Sequence, residues 1–237
     1  PMHAARRRMD IVRFCADRSA GRPPRAVLLL THDAGGGVAR VVARRVAYWR
    51  GQGVRALVLR ATAHGSVLGE EATQTAYPNL RFAGAADMRL LERLLRAEGV
   101  CHVEVHYPEG HPPAVINLPA RLGCPYDVYV HDHLWLCQRV TLLGADGHYC
   151  GEPGPQACGP CLERLGRRVA GRQAVGTYLR RAWAVLARAR RVVVPCPEGA
   201  ARLRRHWQAY QPGGGAFPLR IHIRAFENDS LIKKNFQ

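Results

Sequence analysis

The chain reads as an α/β protein built on a doubly wound, Rossmann-like parallel sheet, and three observations predict that class. Short apolar runs alternate with amphipathic segments from residue 25 to about 207, as strands alternate with their covering helices. The first of these runs, over 26–30, is continuously apolar, as a parallel strand buried on both faces is. A triple glycine, Gly35-Gly36-Gly37, lies between the first run and the first helical pattern, where open α/β sheets place a ligand loop.

Taken in order, residues 1–24 form a basic, Pro-ended lead-in. Residues 26–30 give the first strand and 31–37 its loop. A helix over 38–52 puts Val38, Val41, Val42, Val46 and Trp49 on one face, and Gly51 and Gly53 end it. Residues 54–59 are the second strand and 79–82 a short one. Asp87 is expected to N-cap a helix reaching about Glu98, with Met88, Leu91, Leu94 and Leu95 as its apolar stripe. A strand over 100–106, a helix over 113–122 and a strand over 126–130 follow. Beyond a Cys-rich stretch come a helix over 175–189, a strand over 191–194, a helix over 198–207 and a last strand over 219–223. The glycines 213–215 read as a flexible link. The implied organisation is a lead-in (1–24), one domain (25–218) carrying a Cys-rich insertion (137–161), and the start of a connection (219–237).

At 47% hydrophobic the chain is of the globular class. No run approaches the roughly 18–20 apolar residues of a membrane span. Arg6-Arg7-Arg8 and the residues after it lack the apolar core of a signal peptide. A cytoplasmic, reducing compartment is therefore expected, where clustered cysteines serve metals more often than disulfides. The net charge of +17 is almost wholly arginine, since Lys233 and Lys234 are the only lysines. Such usage also follows from a GC-rich genome. The excess points to an anionic partner (nucleic acid, a phosphorylated substrate or an acidic membrane surface) or to a diffusely solvated basic face.

Four groups of residues can carry chemistry. Gly35, Gly36 and Gly37 at a helix N-terminus make an anion site, with Arg40 on the first turn adding charge. They match neither G-x-G-x-x-G nor a Walker A sequence, and a plain tight turn is the other reading. His106 ends the strand over 100–106, with Glu109 and His111 nearby. It faces either the ligand crevice at the strand ends or the core as a satisfied histidine. His131-Asp132-His133 ends the next strand. Adjacent residues on extended backbone point oppositely, so the triplet cannot chelate as one face, and a metal hydrolase is not expected. Finally, Cys137, Cys150, Cys158 and Cys161 fall within 25 residues among Gly and Pro. Four thiolates suit zinc first and an iron–sulfur cluster second, and a closed set would be structural. The alternative is four free thiols. Cys15, Cys101, Cys124 and Cys196 are scattered and read as small core residues.

Together these elements resemble the N-terminal half of family 4 glycosyltransferases of the GT-B fold, over about residues 25–225. The resemblance rests on four stretches. Leu28-Leu-Leu-Thr31-His32-Asp33-Ala-Gly35-Gly36-Gly37-Val38-Ala-Arg40 is similar to the family's first strand and glycine loop. His102-Val-Glu-Val-His106-Tyr-Pro108 is similar to the strand ending at its sugar-contacting histidine. Tyr126-Asp-Val-Tyr-Val130-His131-Asp132, followed by Cys137-Gln-Arg139, looks like the His-Asp-x4-Cys-Pro-Arg stretch of a cysteine-containing bacterial branch. Ala189-Arg-Arg-Val-Val-Val194-Pro195-Cys196, leading to Ala201-Arg202-Leu203, resembles the strand and helix near the domain's end. Ala39 stands where many members carry glutamate, and Gln138 where this branch often has proline.

The resemblance implies transfer of a sugar from a nucleotide-sugar donor to a glycan or lipid-linked acceptor, with retention and without a catalytic metal. Cell-surface polysaccharide biosynthesis is the implied setting, peripheral to the anionic inner face of the plasma membrane. His106 inherits the catalytic contact to the transferred sugar and is expected to be partly exposed in the cleft. Gly35, Gly36, Gly37, Arg40, Glu109, His131 and Asp132 inherit substrate contacts. The family's paired-glutamate motif does not follow residues 226–230, so the chain is expected to be the acceptor-side fragment, inactive alone. A non-enzymatic, zinc-containing nucleic-acid binder is the reading from another class. It fits the charge and the cysteines but leaves the glycine loop without a purpose. At 7% aromatic, the chain offers little base stacking, so nucleic acid is not the expected partner.

Overall fold

Each apolar run forms a strand, and the pattern of mostly parallel strands alternating with helices gives a mixed α/β protein. The computed structural model describes residues 2–16, 25–73, 76–169, 171–210 and 219–226. The predicted glycine link at 213–215 and the stretch after 226 lie outside the described residues. The chain divides into two units, Pro1–Tyr126 and Asp127–Gln237.

The first unit contains α1 (Met2–Ala16), β1 (Ala26–His32), α2 (Gly36–Gly51), β2 (Arg55–Thr62), β3 (Gly65–Gly69), β4 (Arg81–Phe82), α3 (Ala85–Ala97), β5 (Val100–Val105) and α4 (Leu118–Leu122). Its strands lie in the order β4-β3-β2-β1-β5. β1 is parallel to both neighbours, running from Ala26↔Arg55 to His32↔Ala61 on one side and to Leu30↔Val105 on the other. Its apolar residues have no exposed surface to speak of, as predicted for a central strand. Val27, Leu29, Val42, Val46, Ala56 and Val58 form the cluster between the sheet and α2.

Three features depart from the sequence reading. The supposed lead-in carries α1. Phe14 is fully buried with its ring edge-on to Tyr77 at 5.3 Å, and Asp10 accepts the Asn79 backbone N–H at 2.8 Å. β3 was not foreseen; it turns back antiparallel on β2, so the sheet is not wholly parallel. Asp87 is not an N-cap but the third residue of α3. Its carboxylate reaches back to the N–H groups of Ala83 (2.9 Å) and Gly84 (3.3 Å), the reverse half of a capping box.

The second unit takes β6 (Tyr126–Tyr129), α5 (Pro155–Leu165), α6 (Val175–Arg188), β7 (Arg191–Val194), α7 (Pro197–Tyr210) and β8 (Ile221–Ile223). β6, β7 and β8 are adjacent and parallel. The face of α6 made by Tyr178, Leu179, Ala182, Trp183 and Leu186 is buried, and Trp183 meets Trp207 of α7 edge-on at 5.5 Å. Asp127, without exposed surface, accepts from both Arg190 (2.8 and 3.0 Å) and Arg191 (2.6 and 3.1 Å). α5 is absent from the sequence reading, because Pro153 and Gly154 before it and Pro160 inside it favour turns.

Candidate functional site

β1 delivers its carboxyl end to the glycine loop. Gly35 is the N-cap of α2 with φ 70°, and Gly36 follows at 74°. Only glycine occupies that left-handed region without strain. A Cβ on either would meet nothing within 4 Å, so the space beside the loop is open. No side chain caps α2, and the positive end of the dipole of this 16-residue helix lies at the loop. Arg40, the fifth residue of α2, is exposed. Ala39, at the position where the resembled family carries glutamate, is buried in the core instead.

The loop is braced from beneath. The Ala34 N–H donates to His32 Nδ1 at 2.9 Å, which fixes Nδ1 as the acceptor. Burial holds His32 below its ordinary value, against the pull of Asp33, so the ring is neutral at neutral pH. Its face stands edge-on to Tyr107 at 4.5 Å, and the backbone N–H groups of His106 and Tyr107 both donate to Leu30 O, at 2.9 and 3.1 Å. The ends of β1 and β5 therefore adjoin. Arg60, buried on β2, pairs with Asp33 and donates to Thr73 O at 2.8 Å. On the β3 side, Ser66 Oγ lies 2.7 Å from His111 Nδ1. Burial lowers His111 to about 4, against the pull of the Thr31 backbone. His111 Nε2 and Thr31 Oγ1 are buried with no hydrogen-bond partner among the described residues.

The chain was compared with protein-family models, with curated proteins and with solved structures. None matches.

His106 differs from expectation: its side chain has no exposed surface. Along β5 the alternation of side chains puts His102, Glu104 and His106 on one face, and that face lies under α2. Glu104, equally enclosed, accepts from Arg45 Nε at 3.0 Å and from its Nη2, and from Trp49 Nε1 at 2.9 Å; His106 Nε2 is 3.3 Å away. Burial pushes the Glu104 carboxyl up, but the hydrogen bonds from His106 and Arg45 outweigh it and bring it to about 2. Burial lowers His106, so it stays a neutral Nε2–H donor. The sequence held a signal for this: a glutamate inside a buried strand must be paired. Glu109 is half-buried, two residues from Tyr107 and beside Gly110, whose Cβ position would lie 3.1 Å from the Ala61 Cβ.

In the second unit His131 is buried with its ring 5.0 Å from that of Phe226. Asp132 accepts the Leu134 N–H at 2.8 Å and is pushed up to about 6 by burial. The His133 carbonyl receives the N–H groups of Leu136 and Cys137, at 2.9 and 2.8 Å. The triplet is thus used to turn the chain.

Cys137, Cys150, Cys158 and Cys161 line one cavity of about 50 Å³ together with Leu142, Leu162 and Tyr178. Burial pushes the Cys158 thiol up to about 11, with Cys137, Cys150 and Cys161 near enough to push the same way. Among the described residues, no group of three or more His, Cys, Asp or Glu is arranged to hold a metal ion. None of the described helices is long and apolar enough to cross a membrane.

The arginine excess is partly spent inside the fold. Arg45, Arg55, Arg60 and Arg202 are largely buried against Glu104, Glu70 with Glu98, Asp33 and Glu152 respectively. Those guanidinium groups are not offered to an external polyanion.

Proposed function

We propose that this chain is the acceptor-side, Rossmann-like domain of a GT-B glycosyltransferase that moves a sugar from a nucleotide-sugar donor to a glycan or lipid-linked acceptor. The observation that carries the reading is the junction of β1 and α2. There an uncapped helix N-terminus and two left-handed glycines stand at the carboxyl end of a central parallel strand. Departure of a nucleoside diphosphate places negative charge on phosphate oxygens, and fixed backbone N–H groups with a helix dipole stabilise it without reorganising. In this reading Gly35, Gly36, Gly37 and Arg40 receive the diphosphate. Tyr107 and Glu109 face the acceptor side, and His106, enclosed beneath α2, positions β5 against that helix through Glu104.

The test is an amide NMR titration of the chain with pyrophosphate and with a uridine diphosphate. Saturable shifts centred on residues 33–40 are expected, weakened about tenfold or more in Gly36→Ala. That variant puts a Cβ into the opening, with a left-handed backbone cost of about 1–2 kcal/mol. Shifts scattered over exposed arginines and unchanged in Gly36→Ala would overturn the reading. In the protein that carries this chain, the same substitution lowers sugar transfer by about 10–100-fold if the loop stabilises the leaving group.

A further inference from the structure

The cysteine segment holds its backbone in costly conformations. Val140, Leu142 and Glu152, at φ 68°, 55° and 52°, are the left-handed non-glycine residues among those described, and all three flank Cys137 or Cys150. Each costs about 1–2 kcal/mol, and such conformations persist only where the surroundings fix them. In this segment Arg139 N–H donates to Cys137 Sγ at 3.3 Å, and Val140 N–H donates to the Cys137 carbonyl at 2.9 Å. A bridge between Leu143 and Tyr149, with Cys150 N–H on Leu142 O at 2.9 Å, returns the chain so that Cys150 joins Cys137 at one end of a small hairpin. Cys158 and Cys161 sit three apart, on one face of the first two turns of α5.

We propose that Cys137, Cys150, Cys158 and Cys161 bind one zinc ion as a tetrathiolate centre, and that the ion fixes a clamp on α7 through Glu152. This inference does not rest on the transferase reading. Zn–S bonds of about 2.3 Å put tetrahedral sulfurs about 3.8 Å apart; the four thiols line one cavity but are not arranged for an ion as they stand, so uptake must draw them together. Uptake displaces four thiol protons to solvent and leaves no open position, so the site is structural. The Arg139 N–H on Cys137 Sγ becomes a charge-assisted hydrogen bond to thiolate.

Two residues past Cys150, the Glu152 carboxylate is nearly enclosed and accepts from Arg202 Nε at 2.7 Å, from His206 Nε2 and from Tyr149 OH. Arg202 and His206 are one turn apart on α7. An ion that sets Cys150 thereby sets the carboxylate holding that helix. Loss of the ion frees the hairpin, and the clamp loses its anchor.

The experiment is elemental analysis of the reduced, chelator-free chain, paired with hydrogen exchange. About one zinc per chain is expected, together with thiolate charge-transfer and tetrahedral d–d bands after cobalt substitution. Removing the metal with a thiol reagent and chelator should speed amide exchange across residues 197–210 about tenfold or more while leaving β1 and β5 unchanged. Cys158→Ser should lower the zinc content to near zero. If that variant does not fold, cobalt titration of the unaltered chain decides alone. Failure to take up equimolar zinc or cobalt, or iron with sulfide in place of zinc, would overturn the metal assignment. Unchanged exchange in α7 after metal removal would overturn the clamp.

Discussion

Replacing Glu104 by glutamine tests the polar network under α2. The carboxylate is fully enclosed and receives two bonds from Arg45 and one from Trp49. Its pKa falls from 4.5 to about 2, so the ionised form is favoured in the fold by about 3 kcal/mol. Glutamine keeps the shape but leaves the Arg45 guanidinium, 13% exposed, without a counter-charge. Breaking one side of a buried pair costs about 3–5 kcal/mol. Arg45 still lies over Tyr48 and Trp49, at 4.5 and 5.3 Å, which places the expected loss near the lower figure. Native-state hydrogen exchange should show the slowest amides of β1 and β5 opening about 100-fold faster. Adding Arg45→Met should recover part of the loss, since the unpaired cation is then gone. The sign with pH follows from a lowered carboxyl: the contribution is complete above about 4.5 and disappears as the pH falls through about 2. Glu104→Gln should be flat over that window. An acceleration under about tenfold at neutral pH would refute the assignment of a paired, ionised Glu104.

His111 should titrate near 4 by its ring proton resonance, since burial holds it there. Because its folded value lies below its ordinary one, its contribution is present above about 6.5 and is lost as the pH falls toward 4; a midpoint near 6.5 would contradict the enclosed Ser66–His111 contact. Gly65→Ala should destabilise the first unit by more than about 2 kcal/mol in urea denaturation. The residue has φ 112°, and a Cβ would lie 2.7 Å from Phe82 O; an unshifted midpoint would show that the turn between β2 and β3 is not as described.

The parallel core was legible because burial on both faces leaves one signature, a short run of apolar residues bounded by polar turns. β1, β2 and β7 carry it most plainly, while β5 and β6 interrupt it with His102, Glu104 and Asp127. α1 was hidden by composition, since three consecutive arginines dominate its sequence while Asp10 and Phe14 alone make its contacts with Asn79 and Tyr77. β3 escaped because Gly65 and Gly69 bound a five-residue strand that only pairing with β2 defines. Of the candidate site, the glycine loop could be read from local chemistry. The enclosure of His106 could not, for it meets Glu104, whose partners Arg45 and Trp49 lie 59 and 55 positions before that glutamate on α2. Glu152 was equally invisible: nothing near it in the chain announces Arg202 and His206.

The first unit stops its sheet on β4, a strand of two residues. A parallel sheet left to end on β2 would present eight residues of unsatisfied backbone, a template on which another chain can polymerise. The returning β3 covers that ladder, and β4 then offers too short a rung to seed growth. Encounters along this border must be decided by side chains, which discriminate between partners, rather than by main-chain pairing, which does not.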